Sequence, residues 1–148
     1  GAHVGHDAVV GNNITFANNA TLGGHSVVGD KVFLGGLCAV HQFGRVGQGA
    51  IVGGLAGVTR DVIPYGSAWG NHAQLRGLNL IGLKRKGYDK VAIRRLLAAY
   101  RDLFESKDQP FAQRLEAVAV TYADLPEIVE IVDFIRQDTR RPLCLPEG

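Results

Sequence analysis

From Val4 to Ile63 the chain repeats every six residues without a break. Ten consecutive hexapeptides open on a bulky apolar residue: Val4, Val10, Phe16, Leu22, Val28, Leu34, Val40, Val46, Val52 and Val58. Glycine follows the opener in seven of the ten, and the fifth position is never charged. Neither a helix nor a simple strand produces a strict period of six. A hexapeptide parallel β-helix does. Three hexapeptides close one triangular coil, so residues i and i+18 stack at the parallel-strand spacing of ~4.8 Å. The repeat therefore assigns each residue its neighbours one coil away.

Charge and glycine divide the 148 residues in opposite directions. Residues 1–63 hold six charged side chains and the remaining 85 hold twenty-four, whereas fourteen of the twenty glycines precede Val58. The expected fold is mainly β and then α: a parallel β-helix over 1–63, an irregular connector over 64–80 and an α-helical domain over 81–148. A net charge of +2 is too small to point to nucleic acid. No apolar run approaches the ~18 residues of a membrane span. Cys38 fills a small fifth-position slot and reads as a core residue, far in sequence from Cys144, so no disulfide framework is indicated. Methionine is absent and the chain opens inside a repeat. It reads as the C-terminal portion of a longer protein.

In the second half, a helical stretch over Asn79–Lys86 should stop at Gly87. Asp89 then caps a helix whose apolar face holds Val91, Leu96, Leu97, Tyr100, Leu103 and Phe104. Pro110 starts another helix. Asp124 caps the last, with Ile128, Ile131, Val132 and Ile135 as its stripe. The tail from Arg140 reads as loose.

Folding the repeat into coils gathers four of the five histidines. His6 stacks on Gly24, and Gly24 on Gln42. His25 lies one step beyond Gly24, His41 one step before Gln42, and His3 precedes His6 on the same edge. Imidazoles on one edge of a β-helix suggest a polar cleft with a histidine base. The neutral ring takes a proton from a hydroxyl as that oxygen attacks a carbonyl. Asp7 is positioned to orient the ring if a local turn brings it round, because neighbouring strand side chains point to opposite faces. Gly24 lets a backbone N–H approach an oxyanion, or else it only turns a tight corner.

Several segments carry a resemblance: Gly1–Asp7, Ala17–His25, Val40-His41-Gln42-Phe43, Gly70-Asn71-His72-Ala73 and Gly82-Leu83-Lys84-Arg85-Lys86-Gly87. Together they resemble the acyl-carrier-protein-dependent UDP-N-acetylglucosamine O-acyltransferases, which catalyse the first step of lipid A synthesis. The resemblance implies a left-handed β-helix, a homotrimer and active sites between adjacent subunits. It implies His6 as the general base on the glucosamine 3-hydroxyl and the Gly24 amide as the holder of the thioester oxyanion. His3, His25, His41 and Gln42 match positions lining the nucleotide-sugar and acyl pocket. Asn79 and Arg85 match positions reaching the nucleotide or the phosphopantetheine from a neighbouring subunit. Gly54 matches the site that limits acyl-chain length. Two departures stand out: Ile81 where the family often carries Glu, and Lys86 in place of a second Arg, which keeps charge but loses bidentate geometry.

The implied donor is an acyl group on the phosphopantetheine of acyl carrier protein, with no bound cofactor, in the cytoplasm of a Gram-negative-type bacterium. Arg76, Lys84, Arg85, Lys86, Arg94 and Arg95 offer a basic face for an acidic carrier. Two alternatives remain at this level. One is the related lipid A N-acyltransferase. The other is a non-catalytic or metal-binding hexapeptide protein like the γ-class carbonic anhydrases. Their histidine spacing differs from this one, so no metal ligand is assigned.

Overall fold

The computed structural model describes residues 1–147. The hexapeptides appear as ten two-residue strands, β1–β10, at His3–Val4, Val9–Val10, Thr15–Phe16, Thr21–Leu22, Val27–Val28, Phe33–Leu34, Ala39–Val40, Arg45–Val46, Ile51–Val52 and Gly57–Val58. They stack as three parallel sheets, β1-β4-β7-β10, β2-β5-β8 and β3-β6-β9. The register is i to i+18 throughout, as in His3↔Thr21 and Thr21↔Ala39. The coils form a left-handed β-helix.

Openers point inward. Leu22, Leu34 and Val52 are wholly buried, and Val28, Val40, Val46 and Val58 nearly so. Fifth-position residues fill the space between them: Ala20, Val32, Cys38, Ala50 and Ala56 are all buried. Ser26 takes the same slot, and its buried hydroxyl donates to the Gly23 carbonyl at 2.8 Å. In the first coil Val4 stays half exposed, because no other coil of this chain covers it.

Each corner turns through a residue in the left-handed region. These recur every six positions: Asp7, Asn13, Asn19, His25, Lys31, Leu37, Phe43, Gly49 and Leu55, with φ between 57° and 71°. Asp, Asn, His and Gly tolerate this region best, and they hold five of the nine places. The glycines after the openers have a different task. A Cβ on Gly23 would lie 2.5 Å from the Gln42 nitrogen, and one on Gly35 2.4 Å from the Gly54 nitrogen. They let one coil rest directly on the next.

The period breaks after Val58. Val62 pairs with Val46 and Ser67 with Ile51, offsets of 16 instead of 18. The residues expected as an irregular connector are instead ordered. Strand β11, Gly66–Trp69, continues the third sheet beside β9, and β12, Gln74–Leu78, pairs antiparallel with it. Small residues and glycines obscured these strands, which form because the last coil offers an open edge.

Helix α1 spans Leu80–Arg85, capped by Asn79, and Gly87 beyond it has φ +91°. Helix α2, Lys90–Tyr100, is capped by Asp89 and runs into a π-helical turn, Arg101–Glu105. Helices α3, Phe111–Thr121, and α4, Pro126–Gln137, complete the tail. Leu96, Leu103, Val118, Ile131 and Val132 form its core, which is continuous with that of the solenoid. Three expectations fail here. Val91 is 62% exposed and lies off the apolar face. Asp124 caps nothing and instead pairs with Arg95. Residues after Arg140 are tied down: Asp61 N–H donates to Pro142, Cys144 N–H to Asp61, and Leu75 N–H to Leu145.

Two polar clusters fasten the tail to the solenoid. Asp61 is fully buried and accepts from the Arg45 side chain at 2.9 Å and the Arg45 N–H at 3.1 Å. The remaining Arg45 guanidinium nitrogens donate to the Phe134 and Asp138 carbonyls, ending α4, and the guanidinium lies 4.0 Å from the Phe134 ring centre. In the second cluster Glu127, buried on α4, accepts from the Tyr88 hydroxyl and lies 3.5 Å from Lys86. Lys86 also lies over the Tyr65 ring, and the Tyr65 hydroxyl donates to Glu130 at 3.0 Å. Burial and the neighbouring Glu127 charge push the Glu130 carboxyl up. Burial likewise pushes the Cys144 thiol up to about 11, so it is an inert core thiol donating to the Ala73 carbonyl.

Candidate active site

The histidines meet at the first corner of the coil, where β1 ends and the chain turns toward β2. Asp7 has φ +57°, and this supplies the turn that an extended strand lacks. Its carboxylate comes round to 3.1 Å from His6 Nδ1. With the proton on Nδ1 the ring donates to Asp7, and Nε2 is left with a free lone pair. One coil away, His25 occupies the equivalent left-handed position at φ +58°, with Nε2 3.8 Å from the same carboxylate oxygen. The His25 N–H donates to the His6 carbonyl at 2.9 Å and locks the spacing between the coils. The His6 and His25 rings meet edge to face at 5.1 Å.

Gly24 lies beneath His6. A Cβ there would sit 3.0 Å from His6 Nε2 and 3.2 Å from Cε1. The corner's left-handed residue is His25, so a tight turn is not what Gly24 is for; it makes room for the imidazole. Among the described residues its N–H has no hydrogen-bond acceptor. Gly5 lets the first coil rest on the Gly24 backbone, since a Cβ on Gly5 would lie 2.6 Å from that nitrogen. A basic nitrogen and a free amide thus stand side by side, the pairing that acyl transfer to a hydroxyl requires.

One contributor was overlooked in the sequence. Phe43 completes the corner column of Asp7, His25 and Phe43, and its ring stacks on His25 at 4.8 Å with planes 6° apart. The signal for Phe43 was its place eighteen residues after His25.

The other expected residues are more scattered. His3, His41 and Gln42 are exposed; the register sets Gln42 beside Gly24 in the His6 column, with His41 one position before it. Gly54 stacks on Gly36, with room for a Cβ 3.4 Å from the Gly36 carbonyl, so this position can take a side chain. Asn79 is engaged structurally: its side chain accepts from the Gly82 N–H and donates to the Gly49 carbonyl at 3.0 Å. Arg85 and Ile81 are exposed.

The site is open. The side chains of His6 and Asp7 are 78% and 70% exposed. Large clefts lie elsewhere, one of 540 Å³ between α4 and the Val27–Arg45 face, another of 560 Å³ beside Phe104 and Leu143. Exposed Val9, Val27 and Phe33 stand on two outward faces of the coils.

These features define a hexapeptide-repeat solenoid with a histidine–carboxylate pair at one corner. Residues 61–144 match the family model described as UDP-N-acetylglucosamine O-acyltransferase, domain 2. The acyl-[acyl-carrier-protein]–UDP-N-acetylglucosamine O-acyltransferase of Caulobacter vibrioides is 57% identical over 147 residues, covering 99% of this chain and 56% of the relative. The enzyme of the same name from Sinorhizobium fredii is 45% identical, covering 98% and 53%. Among solved structures, the UDP-N-acetylglucosamine acyltransferase of Francisella novicida superposes with a TM-score of 0.88 at 30% identity, over 99% of this chain and 53% of that one. The Arabidopsis enzyme gives 0.87 at 36% identity, over 94% and 51%. The chain belongs to the UDP-N-acetylglucosamine O-acyltransferase family, and it spans about half the length of the curated relatives it matches.

Proposed function

We propose that the whole protein transfers a 3-hydroxyacyl group from the phosphopantetheine thioester of acyl carrier protein to the 3-hydroxyl of UDP-N-acetylglucosamine, in lipid A synthesis. The observation that carries this reading is the His6–Asp7 pair set over the free Gly24 amide. His6 Nε2 takes the proton of the sugar hydroxyl as its oxygen attacks the thioester carbonyl. Asp7 holds the ring and stabilises the imidazolium. The Gly24 N–H donates to the carbonyl oxygen as it gains negative charge. Collapse expels the pantetheine sulfur, which takes the proton back from His6. The products are the ester and the free thiol, and no further cofactor enters.

Substrate contacts follow the same reading. His3, His25, His41 and Gln42 line the sugar and acyl pocket. Arg85 and Asn79 reach the nucleotide or the phosphopantetheine, and Lys84, Arg76 and Arg85 face the acidic carrier. Lys86 is tied to Glu127 and Tyr65, so it is a weaker candidate for phosphate. Gly54 lies on the path of the acyl chain. A base 78% exposed lacks the walls of a cleft. A homotrimer supplies them, with the outward apolar residues Val9, Val27 and Phe33 as the contact. The setting is the cytoplasm.

The test is His6→Ala in the whole protein. Turnover falls by ~10²–10⁴, the range for losing a general base, while the thermal melt is unchanged, since the ring is exposed. Near-normal turnover removes His6 from the role. Sedimentation checks the assembly: one species of three chains is expected, and a micromolar monomer contradicts the shared site.

A further inference from the structure

The His6 corner also has the makings of a cation site. One nitrogen from each of His6 and His25 and a carboxylate oxygen of Asp7 lie within 4.8 Å of one another. The nearest pairs are His6 Nδ1 to Asp7 Oδ2 at 3.1 Å and His25 Nε2 to the same oxygen at 3.8 Å. Ligand atoms on a tetrahedral zinc ion, each ~2.0–2.1 Å from it, stand about 3.4 Å apart. These two separations bracket that value, the two histidine nitrogens lie within 4.8 Å of each other, and the side chains, 78%, 70% and 42% exposed, are free to close the difference.

Their starting points are fixed by the backbone. Asp7 and His25 occupy stacked left-handed corners one coil apart, joined by the His25–His6 backbone hydrogen bond. His25 is held flat on Phe43, and Gly24 leaves space for the His6 ring. Three ligands are therefore presented from a rigid scaffold with a fourth position open to solvent. Two imidazoles and one carboxylate suit a borderline cation such as Zn²⁺. Mg²⁺ and Ca²⁺ prefer oxygen donors and find only one side chain to suit them here.

We propose that His6, Asp7 and His25 bind one zinc ion per chain and that this ion switches off the His6 base. The inhibitory half rests on the function proposed above. Coordination at Nδ1 moves the proton of the neutral imidazole to Nε2. That nitrogen then donates where acyl transfer needs it to accept. The ion also occupies the carboxylate that holds the ring. Zinc in this site is an inhibitor of the reaction and no part of it.

The test is calorimetric titration of this chain with ZnCl₂ in a non-chelating buffer, with MgCl₂ as comparison. The expected result is one zinc per chain and no comparable magnesium binding. Asp7→Asn and His25→Ala should each weaken zinc at least tenfold, and His72→Gln, outside the cluster, should match the parent. Melting curves of each variant show that it remains folded. Zinc binding untouched by either cluster variant, or several equivalent weak ions, or magnesium binding as tightly, overturns the site. In the whole protein, zinc should stop acyl transfer and a chelator restore it; zinc bound at the corner without loss of turnover overturns the switch. Calorimetry needs no substrate. A chain that binds no zinc leaves His6 as base, and a His6→Ala protein with normal turnover leaves the zinc stoichiometry standing.

Discussion

The coils and the helical tail hold together by different means. In the coils every residue meets its own counterpart eighteen positions away, and stability comes from small repeated contacts: an opener inside, a glycine under the next backbone, a left-handed corner. In the tail no such rule operates. Helices α2, α3 and α4 bury an irregular set of leucines, valines and isoleucines, and the Arg45 contacts at the end of α4 aim that helix at the solenoid. Where the two meet, the period drops from eighteen to sixteen and Asp61 is drawn fully inside. Repetition fixes the backbone where coils touch, as at Gly23 and Gly35, and leaves the rim free, as at Gly54. An aperiodic joint concentrates its energy in a few groups.

Asp61→Ala should have the largest effect on stability. It leaves Arg45, itself largely buried, without its counter-charge, and removing one partner of a buried pair costs about 3–5 kcal/mol. Denaturant unfolding should show this loss in a single transition, because the joint serves both halves. A loss under about 1 kcal/mol, or a tail that melts separately while the coils persist, would show the joint to be dispensable.

Gly54→Met probes the rim. The site has room for a side chain, so the fold should persist. Each methylene that loses its place is worth ~0.8 kcal/mol, and two to four of them shift donor preference toward shorter acyl chains by roughly one to two orders of magnitude. Competition between acyl donors of different length reads this directly in the whole protein. An unchanged profile in an active variant reduces Gly54 to a surface glycine.

Gly23→Ala probes the stacking. The new methyl would press on the Gln42 backbone at 2.5 Å, and overpacking of this kind costs about 1–3 kcal/mol. The measurement is the same denaturant midpoint. A stability equal to the parent's would mean that the coils can separate slightly without penalty.

The smallest effect expected is in the pH dependence of the joint. Burial raises the Glu130 carboxyl above its ordinary value of 4.5. A group raised on folding binds more protons in the native state. Its contribution is therefore fully present below the unfolded value and is lost as pH rises through the folded one. Glu130→Gln should flatten that part of the stability profile just above pH 4.5, measured as the difference between variant and parent. A difference that runs the other way would mean that the Tyr65 hydrogen bond and Lys86 outweigh burial.

The solenoid was legible because its residues act alike. Ten openers spaced by six permit one arrangement, and the eighteen-residue register alone brings His6, Gly24 and His25 together. The register did not say which side chains face each other within a corner. Asp7 reaches His6 only because of its positive φ, and Phe43 steadies His25 only because both occupy the same corner. The tail was legible as helices, through Asp89 and Gly87, but not in its attachments. Asp124 resembles a cap and serves as an ion-pair partner; the residues after Arg140 look loose and form a strand-like contact with Asp61. The hairpin of β11 and β12 was missed because its strands are short, carry Gly66 and Gly77, and fall outside the hexapeptide period.

The coil, its eighteen-residue register, the inward set of openers and the edge on which the histidines lie all follow from the repeat pattern. Each depends on contacts that repeat at constant separation along the chain. The shortened last coil, the burial of Asp61 with Arg45, the seat of Glu127 among Lys86 and Tyr88, and the meeting of His6 Nδ1 with Asp7 are set by the folded chain. These depend on single contacts between residues at unrelated separations, or on one backbone angle. No periodic pattern encodes either.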